Sequence, residues 1–462
     1  MKRFRDYNPE QPYLLPPDPT EWLPDGHLAF FVHELVQHLD LSSIYQDYTP
    51  GVGGRPPLEP RMMVSVWIYA YATGIRSSRK VQAALVEDVA FRFLSGNQQP
   101  AYWALNRFRT RHREALAELF VQSVHLAVKA GLVKLGHVAI DGSKLQASAS
   151  RNKAMSYSRM IEEEQRLARE ISDYFDACDE TDAAEDEEFG DGDGSIMPEH
   201  LKRSADRLAA IRKAKAELEA EAKEKLKAEQ AQKREAAETE GREYKPRKLA
   251  EAAVPRARAQ KNFTDPESRI MLSGKNIIQG FNTQIAVDSA NQIIVATTLS
   301  NQAADSPHLP GLLSDIHKNT GRYPAEVSAD AGYYSDTNLD AIEETGALPL
   351  VAPGRITHNE WRNQKAPRGR MPKNLTRRQR MKRFLSTKPG KAKYLLRQVN
   401  AEPVYGQIKS ARGLRQVLHR GLEKNQCLWK FDAAIHNILK LFRHASSTGK
   451  AAMKPATTYF PA

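Results

Sequence analysis

Cysteine, long apolar runs and nucleotide-binding loops are scarce or missing in this 462-residue sequence. The two cysteines, Cys178 and Cys427, lie far apart without Cys or His neighbours at ligand spacing, which excludes a disulfide framework and a zinc site. No apolar run of about eighteen residues occurs, and the basic N-terminus lacks the apolar stretch of a signal peptide. No GxxxxGK(S/T) loop is present. We therefore expect a cytoplasmic protein that neither spans a membrane nor uses ATP.

Positive charge is in excess and is unevenly distributed. Lys and Arg number 68 against 56 Asp and Glu, which gives a formal net charge of +12. Between residues 355 and 397 the only acidic residue is Glu360, and this segment carries more positive charge than the net charge of the whole chain. Such an Arg-rich segment predicts contacts with a polyanion. A solvated basic linker is the competing interpretation.

Hydrophobic periodicity divides the chain into segments of different character. Apolar residues recur at helical spacing in the first third, β-branched runs typical of strands follow, and a long stretch rich in Ala, Lys and Glu interrupts those runs. We predict an N-terminal arm over 1–25, a helical N-terminal domain over 26–130, a mixed α/β domain formed by 131–149 and 264–444, a charged helical insertion over 150–263, and a tail over 445–462.

Five short runs predict the strands of the α/β domain. The first contains HVAID, the next two are FNTQIAVDS and NQIIVATTLS, and the last two are AEVSADAGY and ALPLVAP. The second and third runs are separated by a short turn and predict a hairpin. Helical stretches, PHLPGLLSDIHKN and SDTNLDAIEETG, lie among the later strands. A hairpin followed by strand, helix and strand indicates a mixed sheet.

Two aspartates follow apolar runs in similar contexts. Asp141 ends the run VAI and precedes Gly and Ser, and Asp330 ends the run VSA and precedes Ala and Gly. On adjacent strands both carboxylates would emerge on one face, where small neighbours leave room for a phosphate backbone. Mg²⁺ prefers oxygen ligands, and two such ions about 4 Å apart can support phosphodiester cleavage and transfer. Ordinary turn aspartates are the competing interpretation.

A glutamate and a lysine further along the chain are candidates for the same site. Glu402 begins a predicted helical stretch, where a glutamate is more commonly a partner of the helix dipole. Lys409 follows two turns later on the same face, where it could hold a phosphate beside the carboxylates.

Other carboxylates and the histidines fit structural roles better. Asp288 lies at the predicted hairpin turn, and Asp305 precedes a helix that it could cap. His137, His308 and His436 have no ligand partner at metal spacing.

Three motifs, in order VAIDGSK, VSADAGYYS and YLLRQVNAEPVYGQIKSARGLRQ, resemble those of the DDE transposases of bacterial insertion sequences. The branch in question carries Tyr, Arg, Glu and Lys at set intervals in its third motif. The segments GRPPLEPRMMVSVWIYAYATGIRSSRKVQ and ALNRFRTRHR are similar to the helical N-terminal domain of the same transposases. The resemblance extends from about residue 20 to residue 444.

The resemblance implies an RNase H-like catalytic fold within an α/β chain. Matched motif by motif, the catalytic and metal-binding residues are Asp141, Asp330 and Glu402, with two Mg²⁺ or Mn²⁺ ions as cofactors. In the third motif Tyr394 and Arg397 precede the glutamate, but Arg397 stands one place further from it than in the usual pattern. The role of Arg397 therefore stays open at this point.

The implied activity is metal-dependent cleavage at transposon ends to free a 3′-OH, followed by strand transfer into target DNA. The partners would be the inverted-repeat ends, target DNA and a second copy of the chain, in a nucleoid-associated protein. The expected DNA contacts are Lys409, Arg397, Arg377, Arg378, Arg76, Arg79, Arg107 and Arg109. Two alternatives remain: an RNase H-superfamily nuclease without strand transfer, and a catalytically silent DNA-binding protein derived from a transposase.

Overall fold

The computed structural model describes residues 19–48, 56–186, 199–239, 241–242, 253–274, 276–354 and 366–448 apart from 368 and 373. Most of the predicted arm, most of the tail and residues 355–365 of the basic segment lie outside the described residues. Within the described ranges, no helix is long and apolar enough to cross a membrane.

The N-terminal region is helical, as predicted. Pro60 occupies the first turn of one helix, and Asp88 caps another by accepting hydrogen bonds from the backbone N–H groups of Ala90 and Phe91 at 2.7 and 3.2 Å. The helices are α1 (Pro19–Trp22), α2 (Leu28–Gln37), α3 (Ser42–Tyr45), α4 (Pro60–Ala72), α5 (Ser78–Glu87), α6 (Val89–Leu94), α7 (Tyr102–Arg111) and α8 (Arg113–Lys129). Helical structure thus begins before residue 26.

Eight strands follow in the described part of the chain, three of them unpredicted. They are β1 (Val138–Gln146), β2 (Ala154–Ser156), β3 (Gln260–Asn262), β4 (Arg269–Ser273), β5 (Asn276–Asp288), β6 (Ile293–Ser300), β7 (Glu326–Ala329) and β8 (Leu348–Val351). Of the unpredicted strands, β2 and β3 have three residues each, and β4 has five, RIMLS. The five runs identified in the sequence all form strands.

The insertion contains a helical hairpin. Helices α9 (Tyr157–Asp186) and α10 (Glu199–Thr239) pack against each other, and β2 and β3 pair at their base. A small apolar cluster joins the two helices, including Met160, Leu167 and Ile211, all nearly inaccessible to solvent. Ion pairs such as Arg212 with Glu164, at 3.1 Å, border this cluster. The charged sequence is therefore compatible with a thin, two-helix core.

The main sheet is mixed. β5 pairs antiparallel with β1, β4 and β6, whereas β7 pairs parallel with both β1 and β8. Helix α11 (Leu309–Thr320) connects β6 to β7, and α12 (Asp336–Glu344) connects β7 to β8. The strand order is therefore β6, β5, β1, β7, β8, and β4 also pairs with β5. In the parallel half, a helix connects β7 to β8.

Three helices complete the described chain: α13 (Arg377–Ser386), α14 (Lys388–Gly406) and α15 (Leu422–Ser447). Thr387 caps α14, and Pro389 follows in its first turn. Glu402 consequently lies near the end of α14, so the prediction that Glu402 begins a helix was wrong. The basic segment is also helical from Arg377 onward instead of forming one irregular loop.

One hydrophobic core runs through the N-terminal helices and the sheet. Helix α15 packs against α8 on one side and against β6 on the other. Buried Trp67 of α4, Phe281 of β5 and Phe431 of α15 belong to the same apolar cluster. The helical region and the sheet therefore share a core, and the N-terminal helices are held rigidly against the α/β part.

Candidate active site

Asp141 and Asp330 lie side by side on adjacent parallel strands. The register of β1 and β7 pairs Ile140 with Ala329, and each aspartate is the next residue of its strand or connection. The two aspartates therefore lie at the same end of the parallel pairing, as expected if their strands are adjacent. β1 continues to Gln146 because its pairing with β5 persists, so Asp141 lies inside the strand and does not end it.

Arg397 connects this pair to Glu402. Its Nη1 lies 3.3 Å from Oδ1 of Asp141, and its Nη2 lies 3.9 Å from Oε1 of Glu402. The side chains of Arg397 and Asp141 are only 12% and 14% exposed, whereas that of Glu402 is 56% exposed. Although Arg397 stands one place further from Glu402 than in the usual motif, its guanidinium lies between Asp141 and Glu402.

The acidic groups repel one another electrostatically. Burial raises the pKa of Asp141 to about 7; Arg397 opposes this rise, and Asp330 and Glu402 add to it. Burial also raises the pKa of Asp330, against the hydrogen bond that its carboxylate accepts from the backbone N–H of Gly332 at 2.8 Å. Carboxylates in this arrangement are stabilised by added positive charge.

The raised pKa of Asp141 predicts a stability cost for the native residue. Between about pH 4 and pH 7 the folded protein holds a proton that the unfolded chain has released, so the Asp141 contribution to unfolding free energy falls as pH rises. We expect Asp141→Asn to be more stable than the wild type, by a difference in unfolding free energy that grows over this interval and levels off at about 1–3 kcal/mol. Loss of the ion pair with Arg397 offsets part of the gain. Urea unfolding at several pH values measures this; a less stable variant at about pH 8 would contradict it.

Lys409 reaches the same strand from an irregular turn. Residues Gln407–Ala411 form a π-helical turn, a geometry found often at functional sites. The Nζ of Lys409 donates hydrogen bonds to Oγ of Ser143 at 2.5 Å and to the carbonyl of Lys144 at 2.7 Å. Burial lowers the pKa of Lys409 to about 8, and Asp141 opposes the decrease. The ammonium therefore lies two residues along β1 from the aspartate.

Asp305 is a neighbour of the site that sequence reasoning assigned to a helix cap. The side chain makes no cap hydrogen bond to the turn that follows it. Instead, Oδ1 accepts hydrogen bonds from Nζ of Lys144 at 3.0 Å, Nδ2 of Asn282 at 2.8 Å and Nε2 of Gln284 at 2.7 Å. Gly142 makes room for this group, because a Cβ at position 142 would lie 2.8 Å from the same oxygen.

A signal for this cluster was present in the sequence. Asn282 and Gln284 are two residues apart on β5, and both are fully buried, so they share one face of the strand. Buried amides need partners. The period of two therefore indicated a polar group above this face, although it did not identify Asp305.

Two of the predicted DNA contacts, Arg76 and Arg109, are buried, so that prediction requires correction. Nη2 of Arg76 forms a 2.6 Å ion pair with Asp432 of α15, and its Nη1 donates to the carbonyl of Arg412. Arg109 donates to the carbonyl of Arg76 at 2.7 Å and stacks over the ring of Trp67. Arg76 thus joins the helical region to α15, Arg109 is held within the helical region, and neither guanidinium is exposed for contact with DNA.

Arg79 and Arg107 remain exposed and line one cleft. The cleft has a volume of about 1030 Å³ and lies between α5 and α7. Arg79 lies over the ring of Tyr102, and Trp103 beside it is 61% exposed. Arg111 and Arg113 also line the cleft, and no acidic residue does among the described residues. The surface is basic and aromatic.

Arg377 and Arg378 begin α13 at the end of the basic segment. Arg377 forms ion pairs with Asp340 at 2.5 Å and Glu343 at 2.8 Å on α12. Arg378 is exposed and lies over the ring of Tyr334, four residues after Asp330. Arg378 is thus the more accessible of the two predicted contacts, while Arg377 fastens α13 to α12.

The donor chemistry of the site suits a hard divalent cation. Asp141, Asp330 and Glu402 offer only carboxylate oxygens, the ligands that Mg²⁺ prefers. Within the described residues, no group of three His, Cys, Asp or Glu side chains lies close enough together to hold a metal ion. The guanidinium of Arg397 lies between Asp141 and Glu402, where it balances their charge. The residues fit a cation in type and charge.

Comparison with protein families agrees with the resemblance found in the motifs. Residues 17–111 match a family model described as a transposase domain (DUF772), and residues 258–438 match one described as a transposase DDE domain. The second match includes Asp330, Arg397, Glu402 and Lys409, whereas Asp141 precedes it. No curated protein and no solved structure matches the chain. With the two matches covering more than half of its length, in the order helical region and then catalytic region, the chain belongs to the DDE transposases.

Proposed function

We propose that this transposase cleaves the DNA at the ends of its element and joins the freed 3′-OH to target DNA, with Asp141, Asp330 and Glu402 as its catalytic carboxylates. The observation that carries the proposal is the parallel register that brings Asp141 beside Asp330, with Arg397 linking Asp141 to Glu402. The strand order of the sheet, antiparallel in one half and parallel in the other, supports an RNase H-like fold for the catalytic part.

The three carboxylates would hold two Mg²⁺ or Mn²⁺ ions. Such ions, when bound, stabilise the attacking and leaving oxygens of an in-line displacement at phosphorus. Asp141 and Asp330 fix the position of the reacting phosphate relative to the sheet, and Glu402 closes the site from α14. A cation held by these carboxylates would replace the charge balance that Arg397 supplies to Asp141 and Glu402, and the guanidinium would then be free to contact DNA.

Lys409 and Ser143 would orient the phosphate backbone. The lysine ammonium is held at the strand by Ser143 and by the Lys144 carbonyl, and its cation faces the ring of Tyr405. Tyr405 in turn donates hydrogen bonds to the carbonyls of Asp141 and Thr283 at 3.2 and 2.9 Å. The charge of Lys409 is therefore fixed relative to Asp141 before DNA arrives, which reduces the ordering cost of binding.

The cleft formed by Arg79, Arg107, Tyr102 and Trp103 is the proposed site for the DNA of the element's ends. Its two uncommitted guanidinium groups suit phosphates, since neither Arg79 nor Arg107 forms an ion pair with a carboxylate among the described residues. The cleft begins at Ser77, next to Arg76, which forms the ion pair with Asp432 of α15. DNA bound there is thereby kept in a fixed relation to the α/β part.

Removal of both exposed arginines tests this cleft. We expect R79A/R107A to weaken binding of end DNA and to reduce the slope of log affinity against log salt by about two, one for each lost phosphate contact. The control is Lys129→Ala, at the exposed end of α8 some 24 Å of helix away from the cleft. Fluorescence anisotropy at several salt concentrations measures both. An unchanged slope for the double variant would remove the cleft from the proposal.

A strand-transfer assay separates this function from its alternatives. Wild-type protein that cleaves end DNA but never joins a pre-cleaved end to target DNA would be a nuclease. Wild-type protein that binds the ends without any metal-dependent cleavage would be a catalytically silent derivative. We further propose a dimer on DNA, which light scattering of the protein with two end duplexes would test.

A further inference from the structure

We propose that Asp305 is a fourth acidic group of the active site, a positioning residue that fixes Lys144 below the carboxylates and adds its charge to the field that attracts cations. This inference rests on the proposed function. Asp305 lies outside the three motifs of the sequence, on the connection between β6 and α11, and no role in the reaction follows from the motifs themselves.

The Asp305 carboxylate lies beside the glycines that follow both motif aspartates. A Cβ built on Gly332 would lie 3.3 Å from Oδ2 of Asp305 and 3.0 Å from Oδ1 of Asp330. A Cβ built on Gly142, the residue after Asp141, would lie 2.8 Å from Oδ1 of Asp305. The two glycines that follow the motif aspartates thus both border this one carboxylate. Side chains at these positions would push Asp305 away from the site.

One carboxylate oxygen of Asp305 accepts three hydrogen bonds, while the other faces the site. Oδ1 takes hydrogen bonds from Lys144, Asn282 and Gln284, all from β1 or β5. Oδ2 faces Gly332, on the side of Asp330. Three hydrogen-bonded neighbours around one side chain fix its rotamer, which is the condition for a group that must hold others in place.

A chain of hydrogen bonds extends from Asp305 to both sides of the site. Gln284 also accepts a hydrogen bond from the hydroxyl of buried Tyr333, which follows Gly332. The Nζ of Lys144 donates to Asp305 and to the carbonyl of Ala303, and the carbonyl of Lys144 accepts from Lys409. Asp305 thereby connects the turn after Asp330 with the lysines on the Asp141 side. Loss of this link would change the position of the two lysines relative to the aspartates.

Electrostatics agree with the geometry. Burial opposes ionisation of Asp305, but hydrogen bonds from Asn282 and Lys144 outweigh it and lower its pKa, so the group is a carboxylate at neutral pH. Its charge contributes to the raised pKa of Asp330, after burial. A permanently charged carboxylate at this distance strengthens the attraction of any cation bound by Asp141 and Asp330.

Asp305→Asn tests the inference, because asparagine keeps the shape and one acceptor but removes the charge. Mn²⁺ binding to the full-length protein, followed by electron paramagnetic resonance without DNA, should weaken about tenfold or more. The melting temperature should change little. Asp305→Glu, which restores the charge at a greater reach, should recover part of the Mn²⁺ affinity.

Asp288→Asn is the matched control. Asp288 is the last residue of β5, the strand that also carries Asn282 and Gln284. Its carboxylate accepts hydrogen bonds from the backbone N–H groups of Lys134, Leu135 and Ala290. We expect this variant to lower the melting temperature and leave Mn²⁺ affinity unchanged. Wild-type Mn²⁺ affinity in D305N, or a loss confined to its melting temperature, would overturn the inference. A wild-type protein that joins no DNA, with Mn²⁺ binding still weakened in D305N, would count against the proposed function alone.

Discussion

Asp330→Asn should abolish cleavage and joining of DNA while leaving the binding of end DNA intact. Loss of a metal-binding carboxylate removes several kcal/mol of transition-state stabilisation, and each 1.4 kcal/mol is a factor of ten, so the rate should fall by about a thousandfold or more. Asparagine preserves the hydrogen bond from Gly332 N–H, since its amide oxygen can accept it. The fold around β7 should therefore persist.

The experiment compares single-turnover cleavage and anisotropy on the same end duplex. Asp336→Asn is the control, because Asp336 lies six residues further along, in the first turn of α12. That control should cut and join at the wild-type rate. Full activity in D330N would contradict the assignment of Asp330, and a loss of DNA binding equal to the loss of rate would place it among the binding residues instead.

Arg76→Ala should destabilise the protein by about 3–5 kcal/mol, the usual cost of leaving one partner of a buried ion pair without the other. The Arg76 side chain is 9% exposed and that of Asp432 is 3% exposed, with 2.6 Å between Nη2 and Oδ1. The loss would also remove the hydrogen bond from Arg76 to the Arg412 carbonyl. Urea unfolding at neutral pH measures the difference.

The exposed Arg107 supplies the comparison, since Arg107→Ala should change the unfolding free energy by no more than about 0.5 kcal/mol. The pair of variants separates a structural arginine from a DNA-binding one. Normal stability in R76A together with weakened DNA binding would reverse the correction and restore Arg76 as a DNA contact.

The sequence allowed five strands of the mixed sheet to be predicted, because strands depend on local patterns, whereas the proximity of Asp141 to Asp330 was expected only on the condition that their strands are adjacent. Apolar runs of β-branched residues identified β1, β5, β6, β7 and β8, and the small residues after each aspartate indicated an open strand edge. The five-residue strand β4 was not predicted, although it contains three consecutive apolar residues, and its pairing with β5 identifies it.

Other features depend on tertiary contacts that no local pattern encodes. Arg76 and Arg109 have the same sequence surroundings as surface arginines, yet Asp432, more than three hundred residues away, and the ring of Trp67 bury them. Asp305 resembles a helix cap in sequence, but its carboxylate accepts hydrogen bonds from Asn282, Gln284 and Lys144 instead of capping the helix. Long-range partners, and not propensity, decided these positions.

Glu402 shows an intermediate case. Its place in the third motif was recognisable, but the start of its helix was not, because Thr387 and Pro389 begin α14 well before the motif glutamate. The consequence for the site is favourable. A glutamate near the end of a long helix is held by that helix, and Arg397 five residues earlier can face both Glu402 and Asp141.

The most direct test is joining by the wild-type protein of a labelled duplex that carries a free 3′-OH at the terminal repeat of its own element, with plasmid DNA as target. The terminal repeats are identified from the DNA that flanks the coding sequence. The account predicts joined products with Mg²⁺ or Mn²⁺, none with EDTA, and none in D141N, D330N or E402Q. Joining that persists with EDTA, or that survives in all three variants, would contradict the account.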